Sequence, residues 1–381
     1  MIELKPESAE QLAAALADCA QAKQTILLGG AFSKNRMAGP VYSADTMIST
    51  ANLKGVLQYE PKDLTVSVEA GMKWSELQRM LAADGQMIPL DPPFHQQATV
   101  GGVVSANTCG PRRRLYGSPR DHVIGMRFAT LEGKLIQSGG MVVKNVAGLD
   151  MGKLMIGSFG TLAALAVVNF KLTPVPPVSR TFIFSSALLA ETMEQRNRLL
   201  KGVLQPCSMD LFNPHAAARL GMEGYTLAIQ VAGSTTVVDR YTKELDGWRT
   251  VNDEKEAVLW NKVREFTPHF LADHEDGAVV RLSGELQQVG PMADAAPVPF
   301  VARAGNGVCY AYFPDPESGV AWLSECIGRG WRGVLEYVPQ RQCTAGEQWP
   351  SPGADFALMR KVKDMLDPDH LLNRGRLYGR L

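Results

Sequence analysis

The sequence predicts a two-domain α+β protein, and three observations carry that expectation. At 381 residues the chain is longer than one hydrophobic core usually supports. Its first half alternates short apolar runs, glycine turns and amphipathic stretches, whereas its second half has fewer glycine turns and longer helical periods. Between them "TPVPPVS" (173–179) shows neither a helix nor a strand period, which marks a boundary near residue 176. The expected organisation is a first domain over 1–176, a second over 177–345, and a C-terminal helix and tail over 346–381.

Each element follows from its pattern. The N-terminal stretch reads as a strand, a break at Pro6 and a short amphipathic helix. "QTILLGG" (24–30) is an apolar run ending in a glycine pair, a strand entering a tight loop. "LTVSVEAGMKWSELQRMLAADG" (64–85) is a strand, a glycine and a helix that places Trp74, Leu77, Met80 and Leu81 on one face. "VIGMRFATLEGKLIQSGG" (123–140) reads as a hairpin turning at Glu132-Gly133. The second half reads β-α-β-β-α, then a connecting helix near 254–266, then a partial recurrence of strands with helices near 316–329 and 355–367. Such a pattern predicts an antiparallel sheet with helices on one face.

Composition excludes several classes. Thirty-nine basic residues balance thirty-nine acidic ones, so no whole-chain field draws the protein to nucleic acid. The longest apolar runs, such as "TLAALAVV" (161–168), fall far short of the roughly 20 residues a membrane span needs. Glu3, Glu7, Glu10 and Asp18 near the start argue against a secretory signal. The six cysteines are scattered without a C-x-x-C pair, which predicts reduced thiols, no metal site and no iron–sulfur cluster of the chain's own. A cytoplasmic location is expected.

Three loops carry the chemistry. "GGAFSKN" (29–35) follows a strand; its glycines allow positive φ and close backbone approach, and Ser33 and Lys34 add a hydroxyl and a charge. Successive amides in such a turn form an anion-binding concavity. It is neither a P-loop nor a Rossmann fingerprint. "ATVGGVVSANTCG" (98–110) resembles backbone passing close to a flat ligand. "GSFGTL" (157–162) again sets small residues ahead of an apolar run. Any one alone reads as an ordinary turn; three beside strands favour a shared elongated ligand.

Three longer stretches carry a family resemblance: "PLDPPFHQQATVGGVVSANTCGPRRRLYGSPRDHVIG" (89–125), "VVKNVAGLDMGKLMIGSFGTL" (142–162) and "LDPDHLLNRGRLY" (366–378). Together they resemble the FAD-linked oxidases of the vanillyl-alcohol oxidase/p-cresol methylhydroxylase superfamily, and within it the flavin subunits of glycolate-oxidising complexes. The likeness is dense over about 24–175 and returns in the tail. It implies a two-part FAD-binding domain of the p-cresol methylhydroxylase type followed by an α+β cap with an antiparallel sheet. It implicates Gly29, Gly30 and Ser33 at the pyrophosphate, and Asp91, Pro92, Thr99, Gly101 and Gly102 along the nucleotide. Asn107, Gly110, Gly117 and Asp121 extend that segment. Gly157, Ser158, Gly160 and Thr161 fall near the adenine side. The tail, usually L-N-P-G-[KR] in the family, implicates Asn373. Lys144 and Asn145 are further polar candidates near the ring.

Departures from the family pattern bear on mechanism. The cap signature H-x-G-D-G-N-x-H, linked to metal and catalysis in 2-hydroxy-acid dehydrogenases, has its nearest counterpart in "RAGNGVCYAY" (303–312), which holds no histidine. No catalytic base stands out, and no metal is expected. The pyrophosphate loop offers Phe32 and Ser33 where some members tether the flavin through histidine, so noncovalent FAD is expected. Leu149 replaces the usual tyrosine of K-N-x-x-G-Y-D, and Arg374 the usual proline of the tail.

The resemblance implies a paralogous flavin subunit and a separate iron–sulfur subunit as partners, a small 2-hydroxy acid as substrate, and peripheral membrane attachment through the complex as an alternative to a free cytoplasmic state. A self-sufficient oxidoreductase and a non-catalytic scaffold are the alternatives on function. For Arg112, Arg113 and Arg114 the readings left open are a solvated face, a substrate-carboxylate contact and a partner surface; His95, in a flavin-proximal segment, is a further candidate.

Overall fold

The computed structural model describes residues 1–39, 43–142, 150–339 and 344–381. Lys144, Asn145 and Leu149 of the "KNVAGLD" stretch lie outside the described residues. The chain divides into two compact units. The first comprises Met1–Cys109, Ser118–Val175 and Gln340–Leu381; the second comprises Gly110–Gly117 and Pro176–Pro339.

The first unit contains two main sheets. In the smaller, Thr46–Ser49 lies between Ile2–Leu4 and Ile26–Gly29, parallel to both. The larger is antiparallel, in the order Val56–Glu60, Thr65–Glu69, Ala164–Lys171, Val123–Ala129, Leu135–Gly139. The helix Ala9–Gln21 starts where Ser8 Oγ accepts from the Gln11 amide, satisfying one of the donors a helix start leaves open. It buries Leu12, Leu16 and Cys19 in a core shared with Ile26 and Ile48 of the small sheet and Ala129, Ala164 and Val167 of the large one. Leu371 and Leu372 of the tail join the same core.

A second core forms under the helix Trp74–Ala83. Trp74, Leu77 and Leu81 are fully buried against Val66, Val68, Phe128 and Phe170, on the face that their 3.6-residue spacing anticipates. Trp74 meets Phe170 edge to face, with centroids 6.0 Å apart. The 123–140 hairpin turns through Gly133, whose φ of 74° takes the left-handed conformation that a glycine adopts at little cost.

The second unit is built on an eight-stranded antiparallel sheet. Its order is Arg249–Val251, Val178–Ser186, Tyr225–Gly233, Ser208–Phe212, Phe300–Arg303, Val308–Phe313, Ala278–Ser283, Arg332–Tyr337. Helices cover both faces rather than the single face expected from sequence. Tyr241 of the helix Thr235–Glu244 stacks on Phe182, whereas Glu256 and Trp260 of the helix Asp253–Arg264 bond Thr181. Phe182 and Thr181 are neighbours on one strand and point to opposite sides. Among the described residues, no helix is long and apolar enough to cross a membrane.

Candidate functional site

An open cleft of about 680 Å³ in the first unit gathers residues from five separated segments, one of them Thr50 alone. The loop after the strand Ile26–Gly29 contributes Gly29 to Asn35; the segment around the short helix Val100–Ser105 contributes Thr99, Gly101, Gly102, Ser105 and Ala106. Phe159 and Gly160 come from the third loop, and Asn373 and Arg376 from the tail.

The glycine loop is shaped by close approach, not by left-handed glycines. Neither Gly29 nor Gly30 has a positive φ; the left-handed residue of that loop is Phe32, at 54°. A Cβ on Gly29 would stand 2.6 Å from the Phe32 ring, and one on Gly30 would stand 2.2 Å from Thr99 Oγ1. Both are therefore places where only glycine lets neighbours close in. Thr99 begins the Val100–Ser105 helix, its Oγ1 accepting from the Gly102 amide at 3.3 Å. Gly101 packs on Ala70, where an added Cβ would meet the alanine methyl at 2.9 Å.

The tail fastens this wall. Asn373 is 2 % exposed; its Oδ1 accepts from the Leu28 amide at 2.8 Å, and its Nδ2 donates to the Leu28 and Phe159 carbonyls at 3.0 and 2.7 Å. One side chain thus satisfies backbone groups on two walls. Phe32, Phe159 and Asn373 are all left-handed without being glycine, and strain of that kind concentrates where surrounding structure over-determines a site.

The electrostatics favour an anion. Lys34 and Arg376 are both nearly buried, and among the described lining residues there is no Asp or Glu. Arg376 Nη1 donates to the carbonyls of Lys34 and Met37. Burial brings its guanidinium down to about 10, still a cation at neutral pH.

The comparisons with known proteins converge on one family. The profile described as "FAD binding domain" matches residues 2–139. The chain is 28 % identical over 379 residues to glycolate oxidase subunit GlcE of Escherichia coli (strain K12), covering 98 % of this chain and 97 % of that one. It is 31 % identical over 422 residues to the mitochondrial D-lactate dehydrogenase [cytochrome] of Arabidopsis thaliana, covering 98 % and 72 %. The chain belongs to the FAD-linked oxidases. The FAD-linked oxidase fold also aligns with p-cresol methylhydroxylase in its substrate-bound structure, at a TM-score of 0.76 and 15 % identity over 99 % of this chain and 88 % of that one. FAD is accordingly the cofactor, and the protein is an FAD-dependent oxidoreductase.

The cleft of this FAD-linked oxidase suits that cofactor. A Cβ on Gly102 would meet only Thr99 Oγ1, at 3.2 Å, within 4 Å, so this wall leaves open space that any other residue would fill. Two cations without a carboxylate suit a diphosphate. Of the residues singled out from sequence, Gly29, Gly30, Ser33, Thr99, Gly101, Gly102, Gly160 and Asn373 line the cleft. Asp91, Pro92, His95, Asn107, Asp121, Gly157, Ser158 and Thr161 belong to the same unit but do not line it. Ser158 Oγ and Thr161 Oγ1 donate within their own turn, to the Met155 and Ser158 carbonyls.

Asp121 is likewise engaged locally, accepting from the Ser118 amide at 2.8 Å and hydroxyl at 3.0 Å. The amide chiefly holds its carboxyl below the usual range. Its stabilising contribution is present above the unfolded pKa and is lost as pH falls through the lower folded value. Asp121→Ala is expected to cost about 1 kcal/mol at neutral pH. The gap from wild type in thermal melts should close in acid.

Gly110, Gly117 and Arg112 to Arg114 group with the second unit. Arg114 lies against Gly305, where a Cβ would stand 2.7 Å from its Cδ, and its Nη2 donates to Gln205 Oε1 at 3.0 Å. In "RAGNGVCYAY", Arg303 pairs with the fully buried Asp210 and lies over the Tyr310 ring at 5.7 Å. The site residue with the plainest unused signal is Arg376, the basic residue that closes the tail motif in which the resemblance implicates only Asn373. Ser105 and Phe159 fall inside two of the three glycine loops without any feature of their own to mark them, and Thr50 lies outside all three.

Proposed function

We propose that this chain is the FAD-binding subunit of a glycolate-oxidising complex, working with a paralogous flavin subunit and an iron–sulfur subunit to convert glycolate to glyoxylate. The observation that carries the reading is the end-to-end likeness to a glycolate oxidase subunit, joined to an anion-suited cleft built from the motifs the family shares. Lys34 and Arg376 would face the diphosphate, with Gly29, Gly30 and Ser33 supplying close backbone. Thr99, Gly101 and Gly102 would line the nucleotide together with Gly160 and Asn373. Asp91, Pro92, Asn107, Asp121, Gly157, Ser158 and Thr161, of the same unit, would support these segments. When bound, FAD supplies the two-electron sink for oxidation of a carbinol carbon.

The chain's own residues hold the cofactor without completing the chemistry. Where related dehydrogenases place cap histidines, Arg303 is committed to a buried ion pair with Asp210, which supports oxidation that depends on a partner subunit. Arg114, tied to Gln205, reads as structural, whereas exposed Arg113 is the candidate for a partner surface. Phe32 and Ser33 in the glycine loop favour noncovalent flavin, released on denaturation.

Anaerobic addition of glycolate to the isolated chain and to the complex tests this. The flavin of the complex should bleach, and that of the isolated chain should not. Bleaching by the chain alone would establish a self-sufficient enzyme instead. A colourless protein that FAD cannot reconstitute would sink the reading in favour of a scaffold.

A further inference from the structure

Away from the cleft wall lies a fully buried ion pair that the chemistry above does not use. Lys363, in the helix Phe356–Leu366, is 0 % exposed. Its ammonium donates to Asp367 Oδ2 at 2.5 Å, to the Thr161 carbonyl at 2.8 Å and to the Leu372 carbonyl at 3.0 Å. All three protons are therefore used. Asp367, also 0 % exposed, accepts from the amides of Leu371 and Leu372, both at 2.8 Å.

The partners of this pair belong to two segments that meet at the cleft: Asn373 of the tail donates to the Phe159 carbonyl at 2.7 Å. Thr161 follows Phe159 and Gly160, which line it. Leu371 and Leu372 precede Asn373, and the tail runs beside the strand Ile26–Gly29: the Ile26 amide donates to Leu371 O at 2.8 Å, and the Asn373 amide to Ile26 O at 2.9 Å. Arg376 then reaches back to Lys34 and Met37. Lys363 and Asp367 themselves do not line the cleft.

Stability alone is a poor reason for this pair. Two charges removed from water lose hydration that their attraction only partly offsets, and well-packed apolar residues often serve as well. A methionine and a leucine could not, however, hold two carbonyls and two amides from separate segments in one fixed arrangement. We propose that Lys363 and Asp367 are positioning residues of the FAD site: a buried clip that sets the tail against the Phe159–Thr161 loop and so fixes the spacing of the cleft walls. The proposal rests on this cleft being the FAD site.

Lys363→Met tests it, keeping most of the stem while removing the charge. The apoprotein should retain its far-ultraviolet circular dichroism, while FAD affinity by flavin-fluorescence titration falls about ten-fold or more, as expected for a lost charge-assisted hydrogen bond in the support of a site. By hydrogen exchange, the Leu371–Asn373 amides should exchange faster in the variant, and FAD should slow them in wild type. Leu81→Ala, in the other core of the same unit, is the control for general destabilisation. Wild-type FAD affinity in Lys363→Met would overturn the proposal, as would an equal affinity loss in Leu81→Ala at a matched fall in melting temperature. If Lys363→Met does not fold, Asp367→Asn is read by the same measurements and criteria. Failure of wild type itself to take up FAD would overturn the site reading first, and this proposal with it.

Discussion

Gly102→Leu is expected to yield a folded, colourless protein. Gly102 sits inside the short helix Val100–Ser105 with no positive φ, so the backbone tolerates a side chain. Replacing a helical glycine with leucine even favours the helix, by up to about 1 kcal/mol. Because an added Cβ meets only Thr99 Oγ1, at 3.2 Å, the new side chain enters open space on the cleft wall. Apoprotein melting should therefore match wild type or exceed it slightly, while the flavin site is obstructed. A loss of FAD affinity on the order of a hundred-fold follows from the steric conflict of a four-carbon group with a ligand that needs close backbone approach. The purified variant's visible spectrum and a reconstitution titration read this directly. A yellow variant with wild-type affinity would place the flavin elsewhere.

Gly71→Ala should act on the fold instead. A Cβ there would stand 1.8 Å from the Thr50 carbonyl oxygen and 2.7 Å from that of Leu53. Both are backbone atoms, so no side-chain rotation relieves the clash. The 50–53 turn cannot yield without disturbing other bonds: the Gly71 amide donates to Leu53 O at 2.7 Å, and the Thr50 amide to Gly29 O at 2.9 Å. The cost should reach about 3 kcal/mol, the upper range for overpacking. In a unit of this size that lowers the melting temperature by roughly 6–12 °C. Because Thr50 lines the cleft, FAD affinity should fall as well. A melting temperature within about 2 °C of wild type would contradict the close approach at Gly71.

The parts of the fold visible in the sequence are those whose cause is local. Trp74, Leu77 and Leu81 announce a helix because they repeat at its period, and Gly133 announces a hairpin because a tight turn favours its φ. The second sheet departs from its sequence pattern on one point, for a physical reason. Thr181 carries the polarity of a solvent face, yet it is fully buried because Glu256 and Trp260 of a covering helix satisfy it. Nor does any composition shift mark the eight residues Gly110–Gly117 as part of the second unit.

In the cleft, Gly30 and Gly102 were visible as glycines, but their different duties were not. One gives way to Thr99 and the other to open space, a distinction that only neighbouring atoms reveal. Lys363 and Asp367 were hidden altogether. An i, i+4 pair of opposite charges on a helix normally marks a solvent-facing side, and its burial depends on Thr161, 202 positions away in the chain.

The dispersion of the cleft residues along the chain has a consequence for how the protein is made. Leu28 and Gly29 are synthesised more than 340 residues before Asn373 and Arg376, which fasten the same wall. Until they emerge, the Leu28 amide and carbonyl lack the partner that holds them. A nascent chain that still lacks Asn373 and Arg376 should therefore be unable to retain flavin, and cofactor loading waits until these later-made residues reach the cleft.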